Sequence, residues 1–86
     1  MSYLVIVKPS AEKDFGKLPP VLRHRILEAL VRLGEQPRGR GSVKLTGATA
    51  YRVRVGDWRI VYEINDGAET VFVTIVAHRR EVYRGL

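Results

Sequence analysis

The 86-residue sequence contains no cysteine, which excludes disulfides, thiolate zinc sites and cysteine nucleophiles and leaves the redox compartment open. Imidazole is almost as scarce. His24 and His78 stand far apart with no helical or ribbon spacing, which argues against a zinc enzyme, and no metal or other cofactor is expected. Long hydrophobic runs are missing too. The longest, Tyr3 to Val7, falls far short of the roughly 20 residues of a membrane helix. No charged start followed by an apolar stretch marks a signal peptide. No membrane association is expected, and the cytoplasm is the default compartment. Repeats and low-complexity tracts are absent, and 45% hydrophobic with 28% charged residues is an ordinary globular balance. Folding a chain of this length removes roughly 60% of its surface from water, enough for one small core, so a single domain over residues 1–86 is expected.

Positive charge is what the chain has in excess, with 15 Lys and Arg against 9 Asp and Glu for a net charge of +6. Its placement follows from the predicted elements. Tyr3 to Val7 reads as an edge or central strand ending at Lys8-Pro9. Ser10 can cap a helix from Ala11, in which Ala11, Phe15 and Leu18 follow at helical spacing until Pro19-Pro20. Pro20 suits the start of a second helix, whose stripe of Leu22, Ile26, Leu30 and Leu33 is widened by Val21, Leu27 and Ala29 and which stops between Gly34 and Pro37. So short a connection makes an antiparallel helical hairpin that needs a sheet to cover its apolar side. From Gln36 to Thr49 the chain is rich in Gly, Arg, Ser and Lys, and Arg38, Arg40 and Lys44 are bracketed by glycines. Two readings of this stretch stand, a mobile connection or a phosphate-facing loop; no Walker-type Gly-Lys-Ser/Thr is present.

The C-terminal half alternates as strands do. Tyr51 to Val55, a two-residue Gly56-Asp57 turn, Trp58 to Ile64, a turn at Asn65 to Ala68, and Thr70 to Ala77 predict a three-stranded antiparallel meander. The tight turn fixes the register: Val55 opposes Trp58, Arg54 opposes Arg59, and Arg52 opposes Val61. Arg52, Arg54 and Arg59 therefore share one face, while Tyr51, Val53, Val55, Ile60, Tyr62 and Ile64 share the other and should take the helices. Like charges directly across a ladder repel, at about 5 Å by roughly 1 kcal/mol in a water-like dielectric and by a few at an effective value of about 20. Folding does not require such a pairing. Glu63, on the same face, could quench one guanidinium in a structural ladder; the other reading is a polyanion site, because planar guanidinium forks suit phosphate oxygens. Beyond the last strand, His78, Arg79 and Arg80 add basic groups, and Tyr83 follows Arg79 at the spacing of one helical turn. His78 is either a solvated histidine or an acid–base group, and Tyr83 either packs on the sheet or joins the cluster.

Three segments, Tyr51-Arg52-Val53-Arg54-Val55, Trp58-Arg59-Ile60-Val61-Tyr62 and Val76-Ala77-His78-Arg79-Arg80-Glu81-Val82-Tyr83, together with Lys44-Leu45-Thr46-Gly47, resemble the RelE family of bacterial and archaeal toxins within the RelE/ParE superfamily. The resemblance covers essentially the whole chain. It implies an α+β fold of order β-α-α-β-β-β, an antiparallel sheet packed against an N-terminal helical hairpin, with a short C-terminal tail or helical turn. It further implies a ribosome-dependent mRNA interferase of a type II toxin–antitoxin system, cutting messenger RNA in the decoding site by 2′-OH attack on the scissile phosphate. A RelB-like antitoxin, the ribosome and mRNA are the implied partners. By position, Arg59 and Arg79 match arginines that clamp the phosphate, Tyr83 matches a tyrosine that stacks on or orients the substrate, and Lys44 and Arg80 would contact RNA.

Arg52 and Arg54 stand where the best-known members carry lysines. A guanidinium is a poor proton acceptor, so these two are expected to neutralise charge, leaving proton transfer to Tyr83 or His78, or leaving the reaction to electrostatics and ribosomal positioning. The sequence stops at Leu86 where several members continue in a helix, so the antitoxin is expected to wrap the helical hairpin and sheet. A ParE-type toxin acting on DNA gyrase without nuclease activity, and a non-catalytic basic RNA-binding module, are the competing functions. Few aromatics fall on the arginine face, which disfavours a binder built on base stacking.

Overall fold

In the computed structural model, which describes residues 2–45 and 49–78, the first apolar run becomes strand β1 (Leu4–Val7). Val5 and Val7 pack on the core, whereas Leu4 and Ile6 face outward. Helix α1 (Pro9–Gly16) starts earlier than a Ser10 cap would place it. Pro9 occupies the first turn, where a missing N–H costs no hydrogen bond. Lys8 is the cap residue and offers no side-chain cap, and the Ser10 hydroxyl donates to the Thr74 carbonyl at 3.4 Å instead.

Helix α2 (Pro20–Glu35) begins at Pro20 as expected and buries Ile26, Ala29, Leu30 and Leu33. Val21 and Leu27, expected to widen that stripe, are exposed. Both lie about 100° or more around the helix from Ile26, at 100° per residue, beyond the arc that one sheet covers. Gly34 lets the end of α2 touch β1. A Cβ there would sit 3.1 Å from the Tyr3 carbonyl oxygen, and the Tyr3 N–H donates to the Gly34 carbonyl.

Strands β2 (Val43–Lys44), β3 (Ala50–Val55), β4 (Trp58–Asn65) and β5 (Thr70–His78) complete a five-stranded sheet of order β1-β5-β4-β3-β2. Two features differ from the sequence expectation. A short strand, β2, lies within the stretch read as loop, pairing Val43 with Arg52 and Lys44 with Tyr51. The sheet is also mixed rather than antiparallel throughout, because β1 runs parallel to β5. β5 thereby becomes an interior strand, which suits its near-continuous apolar run with Val71, Val73 and Val76 buried. The β3–β4 register is the expected one, Arg54 opposite Arg59 and Val55 opposite Trp58, around a turn whose Gly56 has φ +60.

One irregularity governs the far half of β5. Val61 pairs with Ile75 but Tyr62 pairs with Val73, so Thr74 is an extra residue, and its hydroxyl donates to the Val61 carbonyl at 3.2 Å. This bulge reverses the alternation of β5 beyond it. Val76 turns toward the helices, and Ile75 and Ala77 turn to the opposite side, where they join Ala50, Val61 and Leu45 in a small second apolar cluster.

The connection after α2 is pinned rather than free. Arg38 makes a two-pronged contact with Asp66 at 2.9 Å on each oxygen, its Nε donates to the Tyr51 hydroxyl, and the Tyr3 hydroxyl donates to Asp66 at 2.7 Å. Arg38 is thus engaged within the fold. The guanidinium first, and the tyrosine hydroxyl second, hold the Asp66 carboxyl down at about 2. The stability this confers is complete above the ordinary carboxylate range and fades as pH falls from about 4 toward 2. Asp66→Asn should therefore melt below wild type at pH 7, with the gap narrowing toward pH 2; a gap of constant size would show that the carboxylate charge is not what holds the connection.

Candidate nucleic-acid interface

The side of the sheet away from the helices carries the arginines. On β3, Arg52 and Arg54 alternate with Tyr51, Val53 and Val55, which pack on the helix-side core. On β4, Arg59 lies opposite Arg54, and Val61 lies opposite Arg52. The guanidinium-bearing residues therefore share one face by register, as the tight turn dictates. Glu63 does not quench them: its Oε1 accepts from the Thr49 hydroxyl at 3.2 Å, and among the described residues none of Arg52, Arg54 and Arg59 is in an ion pair.

Arg59 is the unusual member. It sits on an interior strand between Arg54 of β3 and Ala77 of β5, and it is only 8% exposed. Its Nη1 donates to the neighbouring Trp58 carbonyl at 3.3 Å, a long bond, and its buried Nε has no acceptor among the described residues. A buried donor without an acceptor typically costs about 1–3 kcal/mol, and more when it is charged. Packing alone gives no reason to place a guanidinium there. An anion on this face would supply the missing acceptor.

His78 is not brought to this cluster. It lies opposite Trp58, on the helix side, and its ring meets the indole edge-on at 5.8 Å between centroids. The Thr74 bulge is the cause, since unbroken alternation from Val71 would have turned His78 to the arginine side. Lys44 pairs with Tyr51 and so belongs to the helix side as well, while Val43 opposite Arg52 takes the arginine side. Arg79, Arg80 and Tyr83 lie outside the described residues. Within the described part, the face offers concentrated positive charge and, apart from the distant Glu63, no proton acceptor. It can bind and polarise an anion. The arginines of α2 were not singled out in the sequence; the seven-residue spacing of Arg25 and Arg32 is the signal that marks them.

The same arrangement of strands and helices recurs in solved structures. The intact E. coli RelBE toxin–antitoxin complex contains a chain matching at TM-score 0.80 with 29% identity, covering 90% of this chain and 96% of that one. An archaeal RelE–RelB complex from Pyrococcus horikoshii OT3 matches at 0.81 with 28% identity, covering 92% and 97%. The class is therefore that of the toxins of type II toxin–antitoxin systems. Toxin RelG of Mycobacterium tuberculosis (strain ATCC 25618 / H37Rv) is 34% identical over 90 residues, 98% of this chain and 99% of that protein. A family profile described as ParE toxin of type II toxin-antitoxin system, parDE, matches residues 5–83. The chain belongs to this RelE/ParE toxin family.

Proposed function

We propose that this toxin is a ribosome-dependent endoribonuclease that cuts messenger RNA by 2′-OH attack on the scissile phosphate, the P–O2′ bond forming as the P–O5′ bond breaks, with the 2′ oxygen giving up a proton and the departing 5′ oxygen taking one. The observation that carries the reading is the arginine face, and above all Arg59, a buried guanidinium whose Nε lacks an acceptor. In-line attack by the 2′-OH builds negative charge on the phosphoryl oxygens, and pre-positioned cations in a partly desolvated site stabilise that charge more than they stabilise the ground state. Arg59 binds the phosphate, Arg52 and Arg54 neutralise the developing charge, and Arg79 completes the clamp. Because His78 stands on the other side of the sheet, Tyr83 is left as the tail group that orients substrate or moves a proton.

A RelB-like antitoxin is the proposed partner in the cytoplasm. The flank of α2 that faces β1 suits it: Leu27 and Val31 are exposed there beside Tyr3, Val5 and Val7, around a groove of about 480 Å³. No helix among the described residues is long and apolar enough to cross a membrane. The match to the ParE profile favours one second reading, inhibition of DNA gyrase without RNA cleavage. Induced expression in a bacterium, followed by primer extension on several transcripts, decides between them. New 5′ ends inside translated codons are expected; intact messages with DNA damage would replace the nuclease reading by the gyrase one.

A further inference from the structure

Helix α2 carries different chemistry on its two flanks. Leu27 and Val31 line the groove beside β1. Arg25 and Arg32, seven residues and hence about 20° apart around the helix, face the other way, toward β3. With Glu28 they line a cleft of about 250 Å³ closed on its far side by Arg54, Val55 and Gly56. The Arg25 guanidinium reaches across to the hairpin turn: a Cβ on Gly56 would stand 3.7 Å from both of its terminal nitrogens. Glu28, the cleft's carboxylate, lies 3.2 Å from His24 Nε2. Among the described residues none of Arg25, Arg32 and Arg54 is in an ion pair.

The cleft is continuous with the arginine face. Among the described residues β2 pairs only with Tyr51 and Arg52 and leaves the edge of β3 uncovered at Arg54, which belongs to both the sheet face and the cleft. Arg32 extends the charge in the other direction, into a neighbouring cavity of about 260 Å³ that it shares with Arg40. The result is a line of four guanidiniums around the sheet edge, with Glu28 in the cleft and Glu35 in the neighbouring cavity as the carboxylates beside it, so positive charge stays in excess. Among the described residues the cleft offers no exposed apolar anchor of the kind a peptide partner would need: Val55 is the only aliphatic side chain among them that lines it, and it is buried.

We propose that this cleft is a second seat for an RNA backbone, in which Arg25 and Arg32 hold a phosphodiester remote from the one being cut. The proposal rests on the ribonuclease reading for its biological setting. The phosphodiester belongs either to the message or to ribosomal RNA lying against the toxin, and recognition is the same in both cases, guanidinium forks on non-bridging oxygens.

The test is the Arg25→Ala/Arg32→Ala double variant, in which two exposed side chains are shortened; circular dichroism and Tm establish that it folds. Binding of wild type and variant is measured against salt, to a short labelled single-stranded RNA and to ribosomes without message. The variant is expected to bind roughly tenfold more weakly with a salt slope shallower by about 0.7, the share of one phosphate on a single strand. Loss on both RNAs assigns the phosphodiester to any strand, the message included, and loss on ribosomes alone assigns it to ribosomal RNA; either supports the seat. Affinity and slope unchanged on both overturn it. Unchanged RNA binding with weakened binding of an acidic antitoxin peptide overturns it in favour of a peptide site. Cleavage is scored separately: binding through these arginines without cleavage sinks the nuclease reading and keeps the seat, and cleavage indifferent to them does the reverse.

Discussion

Arg59→Met is expected to abolish toxicity while leaving the protein at least as heat-stable as wild type. Substitutions of buried residues usually lower stability and function together, so a split between the two is informative. The split follows from the position of Arg59. Its guanidinium is buried between Arg54 and Ala77, donates only a long bond to Trp58, and leaves Nε without an acceptor among the described residues. An unbranched apolar side chain of similar length fills the same space without that unmet donor or the repulsion from Arg54.

Function should fall steeply. Removing one pre-positioned donor to a developing oxyanion typically lowers the rate by on the order of 10²–10³-fold, enough to let an induced culture grow and to erase new 5′ ends in its messages. Arg54→Met, on an exposed residue at the sheet edge, should have a smaller effect on cleavage and little on Tm. Undiminished toxicity of the Arg59 variant would remove the phosphate-clamp role. Strong destabilisation would mean that the guanidinium is there for the fold.

This tension between stability and charge is also what made the site legible. A two-residue turn leaves one register for the β3–β4 hairpin, and that register alone put Arg52, Arg54 and Arg59 on one face and the aromatic and aliphatic residues on the other. Local rules end at Thr74. Its bulge lies in the pairing of β5 with β4 and has no local signature, and it turns His78, read in the sequence as a basic group beyond the strand beside the cluster, to the helix side.

The same limit explains β1 and β2. A parallel pairing of residues 4–7 with 70–73 has no local signature, and a two-residue strand carries too little pattern to stand out in a Gly- and Arg-rich stretch. Arg38 read as a loop cation because its partners, Asp66 and Tyr51, are distant in sequence. The α2 cleft was hidden for a related reason: helical spacing shows that Arg25 and Arg32 share a flank, but only the assembled sheet shows that this flank meets Arg54.

The long-range contacts converge on Tyr62, which carries the second large prediction. Tyr62 is fully buried on β4, stacks on Tyr51 at 5.9 Å, and donates its hydroxyl to the Pro37 carbonyl at 2.7 Å. Tyr51 in turn receives the Arg38 guanidinium, so a single aromatic column ties the core to the connection that follows α2. Truncating a buried aromatic costs about 3–5 kcal/mol, whereas a chain of this size has a total stability of roughly 4–13 kcal/mol at about 0.05–0.15 per residue. Tyr62→Ala should therefore lose a large share of its unfolding free energy, seen as a lower midpoint in denaturant melts. Tyr62→Phe keeps the ring and leaves the Pro37 carbonyl unpaired, for about 1–2 kcal/mol. It should stay folded but exchange amide protons faster through residues 36–45, including the Arg40 end of the guanidinium line. An alanine variant that melts within about 1 kcal/mol of wild type, well below the usual cost of such a truncation, would place the stability of this sheet elsewhere than in its central aromatic column.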